Sequence, residues 1–216
     1  MDLLKGSNWK ELRKGSNCIL VGNSPLITKF NKGDKINSFD SVVRLNDAPT
    51  DSFEKQVGNR TDLRVLNRTL QKEKGVGNLD SDRSGVLENF ESDVLLYPTP
   101  FTIEEDAKEK LVNVRNIYRV SNFFRTYKEA IEKELDIKRL SSGLFSTILL
   151  VHIFESVALI NFDFYNSTSS YHYWEDFDGG DTSPHAFEKE KNFIFYLHEK
   201  DKINFIDLNS QGVSNF

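Results

Sequence analysis

The chain has a single cysteine, Cys18, in 216 residues, so no intramolecular disulfide can form and a reducing compartment is the expected setting. No apolar run approaches the roughly 18 residues of a membrane span. The longest, near residues 149–154, is broken by His152 and followed by Glu155. Charged residues rather than an apolar region follow Met1, so no secretory signal is read there. Lys and Arg, 28 together, are scattered among 33 Asp and Glu, for a formal net charge of -5. No basic cluster is available to neutralise a run of phosphates, which argues against nucleic acid as a partner. The glycine patterns of dinucleotide sites and P-loops are also missing. What remains is a soluble, cytoplasmic chain, long enough for one α/β domain and too short for two comfortable ones.

Aromatics are plentiful, with 17 Phe, which predicts a core built from rings rather than methyls. Short β-rich runs lie at 17–22 (NCILVG), 41–45, 63–66, 94–97, 117–120, 157–162 and 203–208. Several are nearly continuous apolar stretches, as strands covered on both faces should be. Helical patterns fall at 103–112, 123–135, 142–154 and 185–198. This alternation predicts a single-domain, Rossmann-like α/β/α sandwich over 1–216, with a mostly parallel sheet of about seven strands. Residues 71–84 and 166–184 read as long loops, the second mixing turn residues with Tyr and Trp, a composition that favours function.

The first run enters Gly22-Asn23-Ser24, a βα turn at the edge where such sheets meet ligands. Gly22 allows close backbone approach, and the Asn23 and Ser24 side chains can donate to a phosphate or ribose. A tight turn with a capping serine is the plainer reading. The second strand ends in Arg44-Leu45-Asn46-Asp47-Ala48-Pro49, so Asn23 and Asn46 should face one crevice. Ser141-Ser142-Gly143 heads a helix whose free N–H groups attract anions, unless Ser141 or Ser142 is only an N-cap. Asp176-Phe177-Asp178, with Asp181 beyond, superficially matches an Asp-x-Asp metal motif, but such spacing arises readily in a turn-rich acidic stretch.

Residues 18–66, through VGNS, RLN-AP, the Phe53-Glu54 pair and VGNRT, closely resemble the long sialylmotif of the eukaryotic-type sialyltransferases, glycosyltransferase family 29. Residues 140–162 resemble the short sialylmotif. His172-Tyr173-Trp174-Glu175 is similar to the third motif, and the His185 to Glu190 spacing fits the very short one. All four occur in the family's order.

The resemblance implies a glycosyltransferase fold of the GT-A-variant type and inverting transfer of sialic acid from CMP-sialic acid to a glycan or glycolipid hydroxyl, with no metal or other cofactor. It implies that His185 is the catalytic base and that His172 contacts the departing phosphate, roles that suit an imidazole. Gly22, Asn23, Ser24, Asn46, Ser141, Ser142 and Gly143 would bind the donor, with Tyr173 and Glu190 in support. Glu190 reads equally well as a solvent-facing helix charge. His152 and His198 match no motif and are assigned no function.

Departures from the family pattern matter too. The cysteine that secreted members pair with the long-motif cysteine stands here as Phe154, which points to a bacterial-type or otherwise cytosolic relative rather than a Golgi enzyme. Asn161-Phe162-Asp163 lacks the short motif's usual glycines, and Ser142 stands for its usual threonine. Asn59, Asn67 and Asn166 begin glycosylation sequons that a cytoplasmic chain would not use. Alternatives left open are a CMP-Kdo or other CMP-ulosonic acid transferase of capsule or lipopolysaccharide synthesis, a non-catalytic nucleotide-binding module, and a metal-dependent transferase of another family. Peripheral docking at the inner face of a membrane is also left open.

Overall fold

The computed structural model describes residues 14–66, 93–96, 117–119, 122–164, 172–174 and 186–209. Its strands are β1 (Asn17–Val21), β2 (Ser41–Leu45), β3 (Leu63–Leu66), β4 (Asp93–Leu96), β5 (Ile117–Arg119), β6 (Ser156–Ile160) and β7 (Asn204–Ile206). They form one sheet in the order β5-β4-β3-β2-β1-β6-β7, with every neighbouring pair parallel. Side chains are described for five of these strands, all but β4 and β5. The helices are α1 (Gly33–Asn37), α2 (Glu54–Val57), α3 (Asn122–Glu134), α4 (Ser142–Ile153) and α5 (Phe187–Glu199), with a 3-10 turn at Pro25–Lys29.

The apolar runs of β1, β2 and β3 are buried on both faces. Alternation along each strand divides them between two cores. Cys18, Leu20, Val43, Leu45, Leu63, Val65, Val157 and Leu159 pack with Leu144, Phe145, Ile148 and Leu149 of α4. Ile19, Val21, Val42, Ala158 and Ile160 pack with Ile27, Ile36, Val57 and Tyr173 on the other face. The helix α4 is apolar nearly all round, because both its flanks are covered.

The expectation of a ring-built core is corrected. Among the described residues the buried ones are mainly Ile, Leu and Val, with Phe39, Phe145 and Phe154 beside them, whereas Phe30, Phe53, Phe162, Phe164, Phe193 and Phe205 are only partly buried at the margins. A doubly covered parallel sheet selects compact aliphatic side chains, and rings fill the irregular rim. Cys18 and Phe154 lie in one buried cluster. Burial pushes the Cys18 thiol well above its ordinary pKa, so it behaves as a small hydrophobe.

Element bounds differ from the sequence reading by a residue or two. The last helix begins at Phe187 rather than at residue 185, with Ala186 as N-cap and no side-chain cap bond. The expected helix at 103–112, the loop at 71–84, and all of 166–184 except 172–174 lie outside the described residues.

Chain direction across the sheet positions the site. Strands β2 to β5 are laid successively to one side of β1, and the chain then returns to place β6 and β7 on the other. The carboxyl end of β1 is therefore the topological switch point, where the loops diverge and leave a crevice.

Candidate functional site

At the switch point the Gly22 N–H donates to the Ile160 carbonyl at 2.9 Å, continuing the β1–β6 ladder past both strands. A Cβ on Gly22 would lie 2.4 Å from the Asn161 carbonyl oxygen and 3.1 Å from Phe162 Cδ2. A side chain is excluded there by backbone. Asn161 has φ +64, a left-handed conformation that asparagine tolerates better than most residues. Its Nδ2 donates to the carbonyls of Gly22 (2.8 Å) and Ser24 (2.7 Å), clamping the turn from the neighbouring strand. Ser24 does serve as a cap, since its Oγ accepts from the Leu26 N–H at 3.1 Å.

The next turn follows β2. Asn46 is buried with φ +53, and its N–H donates to the Val65 carbonyl at 2.8 Å. Arg64 fixes it from below. Its Nη1 donates to the carbonyls of Asn46 (2.7 Å) and Ala48 (3.0 Å). Beside Arg64 in the β2–β3 register stands Arg44, which is fully buried. Arg44 donates through Nε to Thr61 Oγ1 and through Nη2 to the carbonyls of Val57, Gly58 and Arg60. Burial pushes Arg44 down to about 10. Burial first, and then the Arg44 charge, push Arg64 down to about 9. Even so, both remain cations at neutral pH. Asp62 meanwhile receives Lys14 Nζ (2.7 Å), Arg60 Nε (2.8 Å) and the Val42 N–H (2.9 Å). Two buried positive charges thus lie beneath the carboxyl edge of β2 and β3.

Ser141 is the N-cap of α4, its Oγ accepting from the Leu144 N–H at 3.1 Å. The plain capping role is present, and Ser142 and Gly143 in the first turn are left without intrahelical acceptors. A Cβ on Gly143 would lie 3.1 Å from Phe162 Cε1, so Phe162 approaches both Gly22 and Gly143 and brings the helix head against the β1 turn. Glu190 is buried rather than solvent-facing, and its Oε1 accepts from the Ser141 N–H at 2.7 Å. Burial raises its pKa, opposed by hydrogen bonds from Ser141. Glu132 Oε1 accepts from the adjacent Leu140 N–H at 2.8 Å and pairs with Lys128. Two carboxylates therefore fix the entry to this helix.

Residues 172–174 lie over the two asparagine turns. The Tyr173 N–H donates to the Asn23 carbonyl at 3.0 Å, and its hydroxyl donates to the Pro49 carbonyl. Its ring meets Phe53 edge-on at 5.0 Å. Burial raises the phenol to about 12, so it stays a donor. The His172 ring stacks on Trp174, centroids 4.4 Å apart and planes 3° from parallel.

The structure thus brings together Gly22, Asn23, Ser24, Asn46, Ser141, Ser142, Gly143, His172, Tyr173 and Glu190. His185 and Asp176, Asp178 and Asp181 lie outside the described residues. Among the described residues no group of three or more His, Cys, Asp or Glu could hold a metal ion, and no helix is long and apolar enough to cross a membrane. His152 and His198 turn Nδ1 to the carbonyls of Ile148 and Ile203, which suits helix packing. Sequence reasoning passed over Arg44, Arg64 and the Asn161 clamp. A charged residue inside an apolar strand was the signal for both arginines, whereas Asn161 was read only as a missing glycine.

Comparisons with known proteins bear on the family and the fold. The model of glycosyltransferase family 29 (sialyltransferase) matches residues 4–202. The human CMP-N-acetylneuraminate-beta-1,4-galactoside alpha-2,3-sialyltransferase is 48% identical over 48 residues, 22% of this chain and 13% of that protein. A beta-galactoside alpha-2,6-sialyltransferase 2 of Xenopus tropicalis is 44% identical over 55 residues, 26% of this chain and 11% of that protein. Those alignments span only a small part of the relatives' length. A mammalian sialyltransferase crystal structure aligns with TM-score 0.60 and 22% identity, covering 94% of this chain and 72% of that one. The sialyltransferase CstII from Campylobacter jejuni, solved in complex with a substrate analogue, cytidine-5'-monophosphate, aligns with TM-score 0.59 and 18% identity over 91% of this chain and 82% of that one. At those identities the likeness speaks for the fold, whereas the family match runs over nearly the whole sequence. By that match the chain belongs to glycosyltransferase family 29, the sialyltransferases.

Proposed function

We propose that this chain transfers sialic acid from CMP-sialic acid to a hydroxyl of an acceptor glycan, with inversion and without a metal ion. The observation that carries the reading is the position of Tyr173, bonded at once to the Asn23 turn and the Asn46–Pro49 turn. It holds His172 at the carboxyl edge where a nucleotide would lie. Arg64 and Arg44 beneath that edge and the head of α4 give the crevice a positive potential, which favours an anionic donor. That potential also supplies what a divalent cation would otherwise provide.

In this reading His185 takes the proton from the acceptor hydroxyl as its oxygen attacks the anomeric carbon, and CMP leaves in line. His172 offsets charge building on the phosphate. General-base help is worth about 10²–10⁴ in rate. His185→Ala therefore loses that much turnover in a nucleotide-release assay while CMP affinity stays near that of the native chain. Equal turnover would remove His185 from the mechanism.

A CMP-Kdo donor is the second reading, favoured by Asn161 at a position where the family carries glycine. Incubation with CMP-Neu5Ac, CMP-Kdo and UDP-sugars in EDTA, reading nucleotide release, separates the cases. Release from CMP-Neu5Ac alone supports the first reading. Release only when a divalent cation is restored refutes metal independence, and no release from any donor supports a non-catalytic module. A cytoplasmic location, with docking at a membrane face to reach a lipid-linked acceptor, completes the proposal. Phe154 packed in the same cluster as Cys18 supports it, since the fold is then closed without oxidation.

A further inference from the structure

The Asn161 side chain is 4% exposed and spends its Nδ2 on two carbonyls, but its Oδ1 is buried with no hydrogen-bond partner. The two carbonyl acceptors fix the amide's orientation, because turning it over would set Oδ1 against both of them. Asn23 lies between the two clamped carbonyls of Gly22 and Ser24, and its Oδ1 is likewise buried and without a partner. Leaving such an acceptor unpaired costs about 1–3 kcal/mol each, so one on the turn and another on the residue that clamps it need a reason.

We propose that Asn161 Oδ1, with Asn23 Oδ1, accepts hydrogen bonds from the two ribose hydroxyls of the donor nucleotide, making Asn161 a donor-binding residue of this chain. The inference rests on the CMP-sugar reading above and specifies one part of that site. Both oxygens are acceptors, so they suit hydroxyl groups and not phosphate oxygens, which carry no proton to give. A vicinal diol offers two donors side by side, matching one acceptor on the turn and a second on the residue that clamps it, whereas the cytosine amino group offers its protons from one nitrogen. The location agrees, since nucleotides lie across the switch point of such sheets. Neither oxygen is reached by water in the unliganded chain, so binding requires a local opening of the crevice.

Calorimetric titration with CMP, 2′-deoxy-CMP and 3′-deoxy-CMP tests this. The native chain should bind CMP about tenfold more tightly than at least one deoxy analogue, the loss of one buried hydrogen bond. Asn161→Gly keeps the left-handed backbone and should bind CMP about tenfold more weakly, with the ribose discrimination reduced to about twofold or less. Asn23→Ala, which disturbs no backbone bond, carries the same readout should the glycine variant fold poorly. Equal binding of all three nucleotides by the native chain, or full discrimination retained in the variants, overturns the assignment and leaves the CMP reading standing. No binding of CMP by the native chain overturns both.

Discussion

Replacing Gly22 by alanine tests whether the junction of β1 and β6 is as close as described. The new methyl would sit 2.4 Å from the Asn161 carbonyl oxygen and 2.9 Å from its carbon, both backbone atoms. The obstacle is therefore steric, and no side-chain rotation relieves it. The strands must part by several tenths of an ångström, which costs about 1–3 kcal/mol as overpacking. The bonds that hold the junction stretch with it: Gly22 N–H to Ile160 O at 2.9 Å, and Asn161 Nδ2 to Gly22 O and Ser24 O at 2.8 and 2.7 Å. Weakening two of these adds about 1 kcal/mol, for a loss near 3 kcal/mol. In a chain of this length each kcal/mol moves the melting temperature by about 2–4 °C, so thermal unfolding followed by circular dichroism should shift down by about 6–12 °C. Gly143→Ala is the control. Its methyl would meet side chains alone, the edge of the Phe162 ring at 3.1 Å and Ser141 Oγ at 3.6 Å, and alanine is the better helix former by about 1 kcal/mol, so its melting temperature should stay within about 3 °C of the native value. A Gly22→Ala protein that melts with the native chain would refute the close approach and the clamp built on it.

Burial raises the Glu190 pKa in the folded state, so between its ordinary value near pH 4.3 and the raised one the native chain holds a proton that the unfolded chain has released. Stability should therefore fall as pH rises through that window, and Glu190→Gln should flatten the fall in melting temperature measured across acid to neutral pH. Tyr173→Phe keeps the packing against Phe53 but strands the Pro49 carbonyl, so chemical denaturation should show a loss of about 1 kcal/mol, with weaker CMP binding; an unchanged CMP affinity would separate Tyr173 from the donor site. Cys18 is buried with a raised pKa, so a thiol reagent at neutral pH should label it only at the rate of unfolding, and a fast phase in native buffer would contradict its placement.

The sheet was legible because its strands are buried on both faces, and continuous runs such as CILV and SVVRL admit few other structures. Strand order was not, because nothing local in the sequence states on which side of β1 the chain returns. The motifs pointed to most of the residues gathered at the candidate site because their pieces are local strings, although His185 of the fourth lies outside the described residues. Arg64 and Asn161 escaped notice because their roles are non-local: a guanidinium reaching the turn of a neighbouring strand, and an amide whose partners lie 139 and 137 residues away. Glu190 was divided evenly between a supporting and a solvent-facing role, since its partner, the Ser141 N–H, lies 49 residues distant.

The interior position of β1 bears on how the protein is made. The neighbour that completes its ladder, residues 156–160, is synthesised about 140 residues after the strand itself. For that interval one side of β1 presents unpaired amides and carbonyls next to an apolar surface. An incomplete chain of this kind invites pairing with other nascent chains or capture by chaperones. Truncations ending before residue 156 should accordingly be insoluble, although they contain all of the first motif.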